Sequence, residues 1–141
     1  MSRELDAALG AASVTLTDLP QLLPLIQQNI QLNSLQERAH AAALRWGEGV
    51  AHLQPPFDLV LASDVIYQAE AVPALLATLR DLSGPRTLIL LAAEHREQLP
   101  FPTQQVEAAG FEVVPVAPEQ LHPDWSSQDI AVYRLRLERQ R

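Results

Sequence analysis

The chain has 141 residues, is 48% hydrophobic and carries a net charge of −7 without a single cysteine. That size supports one domain with a real core, and the missing cysteine excludes disulfides, a thiolate zinc site and a cysteine nucleophile. All ten basic residues are arginines, and an acidic chain without a basic face is poorly suited to neutralising nucleic-acid phosphates.

No run approaches the roughly 18 apolar residues that cross a bilayer, and Met1–Ser13 lacks the apolar centre of a signal peptide. A soluble, cytoplasmic protein is the expectation, with no membrane partner. Along the chain the hydrophobic period alternates between two and 3.6, the pattern of an α/β domain. Val14-Thr15-Leu16-Thr17 reads as a short strand closing on Asp18. Leu19, Leu22, Leu23, Ile26 and Ile30 then recur at helical spacing up to Asn33. Pro20 suits a first helical turn, whereas Pro24 either distorts that turn or marks where the regular helix begins.

Ala41 to Trp46 predicts a strand, broken by Gly47-Glu48-Gly49. After Pro55-Pro56, the run from Phe57 to Ser63 is nearly all apolar, as in a parallel strand buried on both faces. Val72, Leu75, Leu76, Leu79 and Leu82 form the stripe of an amphipathic helix stopped at Gly84-Pro85. Thr87 to Ala93 predicts another apolar strand, and Thr103 to Ala109 a short helix ended by Gly110. Phe111–Val116 and Ile130–Leu137 then predict two strands whose connection lets them pair antiparallel, whereas the earlier crossovers demand parallel pairing. A single domain over residues 1–141 is the expectation. The arginines at 134, 136, 139 and 141 read as a solvated strand end. The four histidines, at 40, 52, 95 and 122, share no metal-ligand spacing, so no metal is expected.

Three stretches carry a resemblance. They are Val14-Thr15-Leu16-Thr17-Asp18-Leu19-Pro20, Leu44-Arg45-Trp46-Gly47-Glu48, and Phe57 to Ser63 continued by Asp64-Val65-Ile66-Tyr67. In this order they resemble the S-adenosylmethionine-dependent protein-lysine methyltransferases of methyltransferase family sixteen. That group acts on the valosin-containing ATPase, on chaperones and on elongation factors. The tail from His122 to Ile130 is most similar to the valosin-type branch, while Thr17-Asp18-Leu19-Pro20 also suits the elongation-factor branch. The resemblance implies a Rossmann-like seven-strand methyltransferase fold, a mostly parallel sheet with an antiparallel C-terminal hairpin. It implies a protein substrate presenting a lysine.

The same resemblance assigns roles. Asp18 would accept the ribose hydroxyls of S-adenosylmethionine, as the acidic residue of dinucleotide folds does. Trp46 would lie beside the adenine, Ser63 near the cofactor, and Asp64 and Tyr67 where methyl group and amine meet. Each has a plainer alternative: Asp18 as a helix cap, Trp46 and Tyr67 as packing, and Asp64 as a strand-end carboxylate of the phosphoacceptor kind. Phosphoacceptor domains resemble a pattern with an essential lysine, and this chain contains none.

Family members also carry a first strand and a glycine-rich turn that cradles the methionine half of the cofactor. Glycines 10, 47, 49, 84 and 110 form no such Gly-x-Gly turn between a strand and a helix, since Gly47-x-Gly49 belongs to the tryptophan motif. Residues 2–10 resemble the helix that follows that turn. The expectation is therefore an N-terminally truncated fold, from a splice variant, an incomplete gene model or a real truncation, and a chain inactive by itself. A non-catalytic interaction module is the alternative. The missing strand would sit between those at 14–17 and 57–63, which either lose a neighbour or pair directly in a contracted sheet.

Overall fold

The first strand, β1 (Val14–Asp18), pairs in parallel with β2 (Ala39–Ala43), Val14 opposite Ala39 and Asp18 opposite Ala43. The structure, a computed structural model, describes residues 13–138, so the readings of residues 2–10, Arg139 and Arg141 lie outside it. Between the two strands, Pro20–Leu22 forms a 3-10 turn and Leu23–Leu32 a regular helix, α1. Pro24 sits in the first turn of α1, where its missing N–H costs nothing. Of the two roles open to Pro24, distorting the helix or starting it, it starts it. Ile30, Leu35 and Ala39 form a small core against which Val14, Leu16, Ile26 and Ala41 pack.

β2 starts earlier than the Ala41–Trp46 run suggests and ends before Trp46. Its ladder partner β1 is only five residues long, so pairing stops with Asp18. The Leu44 amide makes the last rung by donating to the Asp18 carbonyl at 2.9 Å. The chain then turns at Gly47, whose φ of +83° favours glycine.

These elements make one compact unit ending at Glu48, and Gly49 onward makes a second. The second is a four-stranded mixed sheet in the order β3 (Leu59–Ser63), β4 (Leu88–Glu94), β6 (Ile130–Leu137) and β5 (Phe111–Pro115). β3 and β4 are parallel, as the crossover through α2 (Val72–Asp81) requires, while β6 runs antiparallel to both β4 and β5.

On α2 the predicted stripe is the buried face: Val72, Leu75, Leu76 and Leu79 are all at most 4% exposed. The core of this unit centres on Ile89, Leu91, Val106, Phe111 and Leu135, none of them accessible to solvent. Val106 belongs to α3 (Thr103–Ala108), which ends as expected near Gly110 at φ +89°.

One local expectation holds and one is corrected. The helix stops before Gly84-Pro85 as expected, and Gly84 itself does not take a left-handed φ. It lies close against the cis-linked Pro56, where a Cβ would stand only 3.0 Å from Pro56 Cβ. β3 is not buried on both faces: Leu61 is 45% exposed, and among the described residues the strand lies at the edge of its sheet. Its ladder is also shorter than the apolar run, since the Phe57 amide donates to the Leu82 carbonyl at the end of α2. Among the described residues no helix is long and apolar enough to cross a membrane.

Candidate active site at the strand ends

In open α/β sheets ligands gather at the C-terminal ends of parallel strands. In the first unit that end carries Asp18 and, just beyond β2, Trp46. Asp18 is half-buried and its Oδ1 accepts a hydrogen bond from the Leu19 amide at 2.7 Å. This local contact fixes one carboxylate oxygen and stops short of the helix-cap reading, because neither the 3-10 turn nor α1 has a side-chain cap. Trp46 is half-buried in the turn that follows β2.

The second unit brings Ser63, Asp64 and Tyr67 together on one connection. Ser63 closes β3 opposite Ala92, and the Asp64 amide adds a further bond to the Ala92 carbonyl at 3.1 Å. Asp64 then takes φ +54°, a left-handed conformation that Asp tolerates better than most residues. Ile66 is buried and anchors the connection, while Asp64 and Tyr67 on either side of it face solvent. The Asp-x-x-Tyr spacing thus has a physical basis: a buried residue between two exposed polar groups.

Two further residues, Glu94 and Arg96, belong to this site and were not singled out from the sequence. Arg96 bridges two carboxylates, with Nη2 3.2 Å from Asp64 Oδ1 and 2.8 Å from Glu94 Oε2. Its Nε donates to the same Glu94 oxygen at 2.9 Å. Beside this cluster lies a cleft of about 440 Å³ lined by Glu94, Arg96, Glu97, Phe101 and Tyr133, among others. The Phe101 and Tyr133 rings stack with centroids 3.7 Å apart and planes 12° from parallel. Burial pushes the Tyr133 phenol above its usual 10.0. The missed signal was available in principle, since Glu94-His95-Arg96 directly follows the apolar run of β4 at its C-terminal end. Among the described residues no three acidic or histidine side chains form a cage for a metal ion.

The lysine methyltransferase family model matches residues 4–105 of the chain. The chain belongs to this lysine methyltransferase family. EEF1A lysine methyltransferase 3 of Mus musculus is 42% identical over 93 residues, which is 65% of this chain and 40% of the relative. Protein N-lysine methyltransferase METTL21A of Danio rerio is 36% identical over 132 residues, covering 91% of this chain and 58% of the relative. The chain therefore spans between two fifths and three fifths of these two methyltransferases.

Solved structures agree on the fold. The S-adenosylmethionine-dependent methyltransferase SibL in its apo form superposes with a TM-score of 0.73 at 21% identity, over 96% of this chain and 46% of that one. The glycopeptide N-methyltransferase MtfA complexed with sinefungin gives 0.70 at 14% identity, over 93% and 79% of the two chains. The Rossmann-like methyltransferase fold expected from the motifs is the fold of this family member.

Proposed function

We propose that this chain carries the nucleoside-binding and amine-binding residues of an S-adenosylmethionine-dependent methyltransferase acting on a lysine of a protein. The observation that carries the reading is Asp64, held in a left-handed turn at the C-terminal end of a parallel strand inside the matched family segment. Asp18, Trp46 and Ser63 take the cofactor; Asp64 and Tyr67 take the amine. The residues suit the nucleoside half of the cofactor. Asp18 has one carboxylate oxygen committed to Leu19 and a second left to accept ribose hydroxyls. They do not suit the methionine half, for which the 141 residues carry no Gly-x-Gly pattern between a strand and a helix.

When bound, the cofactor supplies a methyl group already activated on a sulfonium. The protein's contribution is alignment and desolvation. A lysine amine titrates near about 10.4 and arrives charged. Asp64 attracts the ammonium, Tyr67 orients it, and its proton leaves to water as the site closes, freeing the lone pair. Asp64 is then an orienter more than a base. Of the substrate types the sequence suggests, an elongation factor is favoured over an ATPase or a chaperone, because a 42% identical relative is named for EEF1A.

For the 141 residues alone we infer weak cofactor binding and no turnover. Mixing EEF1A with methyl-labelled cofactor tests the second statement. An N-terminally extended form bearing a strand and a Gly-x-Gly turn should label a lysine, and the 141-residue form should not. Label from the short form, or none from either, sinks the proposal. The competing reading, a truncated homologue acting as a non-catalytic interaction module, predicts stable capture of a methyltransferase partner or substrate by the 141-residue form without cofactor.

A further inference from the structure

The role inferred for Arg96 rests on the proposed function, in which Asp64 is the seat of the substrate amine. That seat is already half taken. Arg96 reaches Asp64 with Nη2 at 3.2 Å, while its Nε and Nη2 both meet Glu94 Oε2, at 2.9 and 2.8 Å. Two carboxylates thus share one guanidinium, so the three groups together keep one uncompensated negative charge. A second cation completes the neutralisation.

We propose that Arg96 is a resident counter-ion on Asp64, displaced by the substrate's ammonium and parked on Glu94 when the amine arrives. The asymmetry of the contacts says which one yields: the Glu94 side is shorter and made by two nitrogens, the Asp64 side longer and made by one. Asp64 cannot follow Arg96 away, because its backbone is fixed by the left-handed turn and by the amide bond to Ala92. The adjoining cleft, lined by Arg96 and Glu94 themselves, gives the guanidinium room to swing. An exposed ion pair is weak enough to exchange readily. A compact ammonium also concentrates its charge on one carboxylate better than a planar guanidinium shared between two. Arg96 therefore sets how tightly the amine is held, and keeps Asp64 from capturing other cations.

The test is a titration of the 141-residue protein with Nα-acetyl-lysine methylamide, followed by ¹⁵N–¹H NMR. Saturable shifts are expected at the Asp64 amide and at Arg96 Nε–Hε, and the Nε-acetylated probe should produce neither. Arg96→Gln removes the competitor and should tighten the lysine probe about three- to fivefold, the scale of an exposed ion pair. Arg96→Lys, still a cation, should return the affinity towards the original, and Asp64→Asn should abolish saturation. Unchanged or weaker binding in Arg96→Gln, or no saturable shift at Asp64 in the parent protein, overturns the counter-ion role. Methyl transfer is a separate measurement. Transfer by the extended form with unchanged probe affinity in Arg96→Gln sinks this inference alone, whereas tightened probe binding without transfer sinks only the reaction.

Discussion

Asp64 does two jobs that single substitutions can separate. Its carboxylate meets Arg96, and its backbone stands at φ +54°. Asn tolerates that conformation, so Asp64→Asn should keep the parent melting temperature while losing the charge that pairs with Arg96. A β-branched residue does not tolerate it, and Asp64→Val should cost about 1–3 kcal/mol in urea unfolding. Equal stability of the two variants would mean the left-handed turn does not constrain the site. In an N-terminally extended form, Asp64→Ala should mainly slow single-turnover methyl transfer, and Asp18→Ala should mainly weaken cofactor affinity. Equal effects of both on both quantities would show a mis-assigned role. Tyr133 adds a dependence on pH. Its folded-state phenol titrates above 10.0 because burial disfavours the phenolate. The stabilisation this gives is complete below the unfolded value and is lost as pH rises through the folded one. Tyr133→Phe should accordingly flatten the alkaline limb of a stability–pH curve above about pH 10.

At the level of elements, apolar periodicity located most strands and helices because their burial follows it. The α2 stripe is the case in point, with every predicted position buried. What the pattern could not give was ladder length, which depends on the partner: β2 stops at Ala43 with the end of β1 rather than running on to Trp46. Nor could it give Gly84's reason, a close approach to Pro56 from a distant stretch of chain. The candidate site was legible where a residue pair sits on one short connection, as Asp64 and Tyr67 do. It was not legible where tertiary pairing of β3 with β4 makes the contact, as between Asp64 and Arg96. Thr87 shows how such pairing is tied down. It is 3% exposed, its Oγ1 accepts from the Gly84 amide at 2.8 Å and it donates to the Phe57 carbonyl, joining the end of the α2 turn to the start of β3. Thr87→Val keeps the shape and strands both partners, so a loss of about 1–3 kcal/mol is expected from denaturant unfolding. Leu91→Ala in the centre of β4 should cost more, about 2–5 kcal/mol, and Leu61→Ala on the exposed edge about 1 kcal/mol or less. A larger loss at Leu61 than at Leu91 would contradict the assignment of β3 as the edge.

Over the whole molecule, the described strands leave β1 paired only with β2 and β3 only with β4. Calorimetric titration of the 141 residues with S-adenosylmethionine should find affinity weaker than micromolar, since several hydrogen bonds to a charged ligand, at about 1.5–3 kcal/mol each, have no donors here. Micromolar binding would mean that some other feature replaces the glycine turn.

The order of the second sheet has a consequence for biosynthesis. β6 is the last of the described strands to leave the ribosome, yet it lies between β4 and β5 and is the only described partner of β5. Until residue 137 emerges, β5 has no described ladder and β4 has only one, so the nascent chain exposes backbone edges of two strands that the finished protein pairs. A premature stop anywhere before Ile130 would therefore delete the middle of the sheet rather than trim its rim. Its product should be a client of chaperones and proteases from the moment of release, whatever the state of Asp64 and the residues around it.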